Sequence, residues 1–148
     1  MGVDEMSALI VPGRLLLLHC SFTKPKPKDK FFLTVATEPW LIGFLINSDL
    51  TPFQKEREDR RADLLPVGPN RILHKQSWLD CSCPIEEIEL ADACAQIDAD
   101  PARVKPMATD QLMAAVRGIV DRSLLIEAGC RKIILRRIDE HFPATGNT

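Results

Sequence analysis

Hydrophobic and polar positions alternate between short apolar runs and turn signals over the first ninety residues. LIVPGRLLLLHCSFT, residues 9 to 23, turns at Pro12-Gly13 and then runs apolar. Leucine favours helices, but the run is short and bracketed by Pro-Gly and Lys-Pro, so its length predicts a strand. Lys24 to Lys30 reads as the loop that follows. FFLTVAT, Phe31 to Thr37, is aromatic and β-branched and predicts a second strand closed by Glu38-Pro39. LIGFLIN, Leu41 to Asn47, predicts a third, buried on both faces, with Gly43 marking a bulge or a close backbone approach.

QKEREDRRAD, Gln54 to Asp63, is a run of mixed charge that reads as a loop or a short solvated helix. Leu64 to Val67 and Ser77 to Cys81 predict two more strands around the turn at Gly68-Pro69-Asn70. Without crossover helices between them, strands so spaced predict a small, strongly bent sheet or barrel over residues 9–90. The pattern then changes. Asp98 to Pro106 reads as a turn-rich connector, and Thr109 caps a helix to about Val120 with Leu112, Val116 and Ile119 at helical spacing. A second helix is predicted from Ser123 to His141, giving a C-terminal helical pair over 107–141. The expected class is α+β: a mainly β, single-domain chain with two C-terminal helices, and a tail from Pro143 that frays.

Composition narrows the partners. The chain has 148 residues, enough for one core, and a formal net charge of -2, so any nucleic-acid surface must be a local patch. No apolar run approaches the roughly 20 residues of a membrane-spanning helix. The acidic start MGVDEM argues against a secretory signal, and a cytoplasmic location is expected. Five cysteines, an odd number without regular spacing, fit reduced thiols better than a disulfide framework.

The strongest local charge is TKPKPKDK, with Lys24, Lys26, Lys28 and Lys30 in a proline-stiffened segment. Lysines on an extended loop can follow phosphates, or can simply keep a hairpin tip soluble. Cys81-Ser82-Cys83, with His74 and Cys94 nearby, lacks the C-x-x-C spacing of a zinc knuckle, so no metal is expected. A thiol nucleophile at Cys81 or Cys83 with His74 as base is a minor alternative. His19 reads as a satisfied or half-buried core histidine in place of a catalytic one, and Trp40 and Trp78 as packing residues that could stack a base if exposed.

PGRLLLLHCSFT, the basic loop, KFFLTVAT and FLINSDL, taken in order, resemble the opening of the MazF/PemK-like toxin family of endoribonucleases. The match covers roughly residues 10–50, and Trp78 to Ser82, WLDCS, extends it. The resemblance implies a small SH3-like β-barrel with helices packed on it, a homodimer, an antitoxin partner, and cleavage of single-stranded RNA without metal or other cofactor. Lys30 falls where the family has its catalytic arginine, and Ser48 where it has a threonine or serine. The family's Arg-Pro is Lys30-Phe31 here, and lysine offers a point charge in place of the arginine fork. On this reading Lys30 stabilises the transition state, Ser48 orients the scissile phosphate, and Lys24, Lys26 and Lys28 hold the RNA backbone. The alternative is a non-catalytic SH3-like module that binds a partner or a second copy.

Overall fold

A computed structural model describes residues 3–48 and 58–143. Its centre is a six-stranded sheet, antiparallel at every pairing, in the order β4-β5-β3-β2-β1-β6. The strands are β1 (Arg14–Cys20), β2 (Lys28–Ala36), β3 (Ile42–Asn47), β4 (Leu64–Val67), β5 (Ser77–Asp80) and β6 (Val104–Met107). Around it lie α1 (Val3–Leu9), α2 (Glu58–Ala62), α3 (Leu90–Ala99), α4 (Asp110–Arg122) and α5 (Ala128–His141). The sheet curls into a half-barrel, so that its edges β4 and β6 line the same groove. This is the small α+β fold with a barrel-like sheet expected from the pattern. Five predicted strands are present.

Two apolar clusters sandwich the sheet. On one face Leu33, Val35, Ile42, Phe44 and Leu79 pack against Met113, Val116, Ile119 and Val120 of α4 and Ile134 and Ile138 of α5. On the other, Leu16, Leu18, Cys20 and Phe32 meet Ala93, Cys94 and Ile97 of α3, with Ile10, Ile85 and Ile88. Successive strand residues point to opposite faces, so β2 feeds both clusters by alternation, Leu33 to one and Phe32 to the other. Gly43 is the close approach anticipated from the sequence. A Cβ there would lie 2.1 Å from the Phe32 ring, so only glycine leaves room for that ring over β3.

Several expectations are corrected. The connector at 98–106 is instead the end of α3, a 3-10 turn at Pro101–Arg103 and strand β6, which pairs with β1. Its backbone completes the β1 edge, which the sequence alone could not assign. The helix predicted from Ser123 begins only at Ala128. Arg131 explains the delay: its Nη2 donates to the carbonyls of Ser123 at 2.6 Å and Ile126 at 2.9 Å, so a side chain satisfies groups that a continuous helix would have bonded through its own backbone. The Ser123 hydroxyl bonds the buried Asp63 carboxylate and fixes this corner to the start of β4. The first helix keeps its predicted cap, with Thr109 Oγ1 accepting from Leu112 N at 3.1 Å, and runs to Arg122. Within the charge run the described part is the short helix α2. Asp49 to Arg57 and the tail from Ala144 lie outside the described residues.

Candidate functional site

The register arranges side chains in rows across the sheet. Leu17 opposes Phe31, Phe31 opposes Ile46, and Ile46 opposes Leu79, an apolar row on the face that carries α4 and α5. One step further toward the open end, on the same face, His19 opposes Asp29. Continuing each pairing by two residues brings Asp29 beside Ser48 and Ser48 beside Ser77, and all three border one cleft of about 290 Å³. Among the described residues, α4 and α5 pack on the apolar rows, and this polar row faces the cleft.

A loop roofs the cleft with His74 and Lys75. Its shape is set locally. Asn70 Oδ1 accepts from the backbone N–H of Ile72 and of Leu73, both at 2.8 Å, an Asx turn that closes with Asn70 N donating to Leu73 O at 2.7 Å. Leu73 is buried and anchors the loop to the core, which fixes where the exposed His74 begins. Gly68 enters the loop at φ 74°, a left-handed conformation that favours glycine. His74 Nε2 lies 3.1 Å from Arg71 O, and because a carbonyl only accepts, Nε2 carries the proton and Nδ1 is the ring's acceptor. Ser77 Oγ donates to Lys75 O at 3.1 Å and ties the roof to β5.

At the mouth of the cleft the Asp29 carboxylate is shared. His19 Nδ1 is 3.1 Å from Oδ1, and Arg103 Nη2 donates to Oδ2 at 3.1 Å while its Nη1 donates to Leu17 O at 3.0 Å. Gln96 of α3 brackets the His19 backbone, accepting from its N–H at 2.7 Å and donating to its carbonyl at 3.3 Å. His19 is therefore an oriented, half-exposed imidazole bonded to a cleft residue, satisfied as the sequence suggested but at the strand end and not in the core. Lys24 and Lys26 project from the turn that joins β1 to β2 just beyond His19 and Asp29, and Lys28 opens β2; all three are exposed.

The structure separates the two residues expected to act as a pair. Lys30 and Ser48 both border the cleft, but alternation turns their side chains to opposite faces. Lys30 Nζ donates to Asn47 Oδ1 at 2.9 Å, in a row that runs Leu18, Lys30, Asn47, Trp78 on the α3 side. The Lys30 charge is felt there by the Cys20 thiol. Ser48 instead shares its face with Asp29 and Ser77. Reading alternation from an assumed strand start could have shown Lys30 and Phe31 on different faces. Which residue then stands next to Ser48 depends on a register that no short motif encodes.

The cysteines lack the environment of a nucleophile. Burial, with Asp80 and Asp63 beside it, pushes the Cys81 thiol far up, and burial with Asp80 raises Cys83 as well. Burial holds Cys20 and Cys130 at about 11. A thiol enzyme needs its thiolate near neutral pH. Trp40 is 48% exposed, with Nε1 donating to Glu86 Oε1 at 2.8 Å, remote from the cleft; Trp78 is half-buried in the Lys30 row. No helix among the described residues is long and apolar enough to cross a membrane. Among the described residues no three His, Cys, Asp or Glu side chains gather as a metal ion would need.

Comparison with known proteins adds no name to this geometry: no family model, no curated protein and no solved structure matches the chain.

Proposed function

We propose that the chain is a divergent MazF/PemK-like endoribonuclease that cleaves single-stranded RNA through its own side chains. The observation that carries this reading is the polar row of Asp29, Ser48 and Ser77 under a roof of His74 and Lys75, opening beside a lysine-rich turn. Strand cleavage by the neighbouring 2′-hydroxyl asks for three things: a cation near the phosphorane, a donor that fixes the phosphate, and groups that move protons. Lys75 supplies the charge at the cleft, the role that the family resemblance implied for Lys30. The Ser48 hydroxyl donates to a non-bridging phosphate oxygen. Lys24, Lys26 and Lys28 follow the flanking backbone, an electrostatic contact that weakens with salt.

The toxin reading carries a protein partner that silences the chain, and expression of the chain alone arrests growth. The test is cleavage of single-stranded RNA in the presence of chelator by the intact chain and by Ser48→Ala. Cleavage that Ser48→Ala slows supports the reading. Absence of both cleavage and growth arrest removes it.

A second reading, a self-associating module, draws on the groove of about 460 Å³ between the sheet edges. Leu65, Pro66 and Val67 of β4 face Met107, Ala108 and Leu112 across it, and Met107 is exposed. Pro66 and Pro106 interrupt backbone pairing at both edges, so a second copy would dock by apolar side chains. Light scattering coupled to a sizing column tests this: a dimer that Met107→Glu dissociates supports it, and a monomer at every concentration excludes it.

A further inference from the structure

Resting on the ribonuclease reading, we infer that His74 and the Asp29-oriented His19 are the proton-transfer pair of the cleft, acting from its two sides on one phosphodiester. His74 lines the cleft with Ser48 and Ser77, and His19 is bonded to Asp29, which lines it on the opposite side. β1 and β3 are separated by the width of β2, so the backbones carrying His19 and Ser48 lie about 10 Å apart. His74 lies on the Ser48 and Ser77 side of the cleft and His19 on the Asp29 side, so a phosphate held over these strands has an imidazole on each flank.

Their hydrogen bonds divide the roles. Arg71 O holds His74 Nε2 as a donor, which leaves the Nδ1 lone pair to accept the 2′-hydroxyl proton. The Asp29 carboxylate accepts from His19 Nδ1–H and fixes the ring, so Nε2–H is positioned to give its proton away. Arg103 on the second carboxylate oxygen fixes the acid's support and offsets its negative charge where a phosphate must approach. In the step, His74 takes the 2′-O–H proton as the 2′-oxygen forms a bond to phosphorus. The bond from phosphorus to the 5′-oxygen breaks, and His19 protonates that oxygen. The products are a 2′,3′-cyclic phosphate and a 5′-hydroxyl, with His74 left protonated and His19 neutral. Asp29 is a positioning residue, acting only through His19.

The experiment uses the full chain and a short single-stranded RNA made in two forms, one with the natural 5′-oxygen leaving group and one with sulfur there. A thiolate leaves without protonation, so the second substrate does not need the acid. His74→Asn is expected to slow cleavage of both substrates by about 10²–10⁴-fold. His19→Asn is expected to lose a similar factor on the natural RNA and to regain nearly the intact rate on the sulfur substrate, as is Asp29→Asn from a smaller loss. Circular dichroism and binding of the 2′-deoxy oligonucleotide check that each variant folds and still holds RNA. An intact chain that cleaves, with both histidine variants within threefold of it, overturns the inference and leaves the ribonuclease reading standing. Loss in His19→Asn without rescue by sulfur overturns its role as the acid. An intact chain that cleaves neither substrate overturns both.

Discussion

The two faces of the sheet end differently at the same edge. On the α4 and α5 side the last row is His19, Asp29, Ser48 and Ser77, where Asp29, Ser48 and Ser77 line a cleft with His74 and Lys75. On the α3 side the neighbouring row is Leu18, Lys30, Asn47 and Trp78, where lysine and amide close on each other. Lys30 and Asp29 are adjacent in sequence, as are Asn47 and Ser48, yet the pleat turns Lys30 to bond Asn47 on one face and Asp29 to bond His19 and Arg103 on the other. Polar residues at a strand end acquire meaning only from the face they reach.

Above these rows both faces are packed, and substitutions there have the largest effect. Phe44 is fully buried beneath α4 and α5, and Phe44→Ala is expected to cost about 3–5 kcal/mol in chemical denaturation. Gly43→Ala presses on the opposite face, because its methyl would enter the Phe32 ring, and overpacking of this kind costs about 1–3 kcal/mol. Both losses should appear as shifts in the denaturation midpoint. A Gly43→Ala protein as stable as the natural chain would contradict the close approach.

Ser48→Ala and Lys30→Ala separate the faces by function. Ser48 is exposed, so its replacement is expected to change stability by less than about 0.5 kcal/mol while lowering RNA cleavage. Lys30→Ala removes the bond to Asn47 and should cost about 1 kcal/mol, with a smaller loss of cleavage than Ser48→Ala. Measuring melting and cleavage on the same preparations gives both. A larger cleavage loss in Lys30→Ala would return the chemistry to the residue that the family resemblance chose.

The smallest effect concerns pH. Burial raises the folded-state pKa of Cys20 and Cys130 to about 11 from an ordinary thiol value of 9.0. Their stabilisation is fully present below the unfolded value and is lost as pH rises through the folded one, because the unfolded chain releases these protons first. Denaturation midpoints should therefore fall between pH 9 and 11, and Cys20→Ala should flatten part of that slope. At the acid end Glu140, held below the usual carboxylate range by hydrogen bonds from Arg137 and Arg136, behaves oppositely. Its contribution is present above the unfolded value and fades as pH falls through the folded one.

Strands β1 to β5 were legible because apolar runs of the right length lie between Pro-Gly, Glu-Pro and Gly-Pro-Asn signals. Thr109 announced α4 by its cap. α3 was legible in principle, since Leu90, Ala93, Cys94 and Ile97 recur at helical spacing. β6 was hidden: Val104 to Met107 is short and contains proline, and it is a strand only because β1 offers an edge. Of the site, Ser48 and the lysine turn could be named from local sequence. His19, His74 and Lys75 could not be grouped with them, because the first needs the β1–β2 register and the others need the Asn70 turn to lay them over β3.

The most direct test is to follow backbone amide and imidazole signals of the full chain by NMR as a short single-stranded 2′-deoxy oligonucleotide, which cannot be cleaved by this route, is added. Shifts are expected at Ser48, His74, Lys75 and Ser77 and in the His19 ring, weakening with added salt, with little change at Asn47 and Trp78. Shifts centred on Asn47 and Trp78, or none anywhere on the sheet's open end, would contradict the cleft as the RNA site.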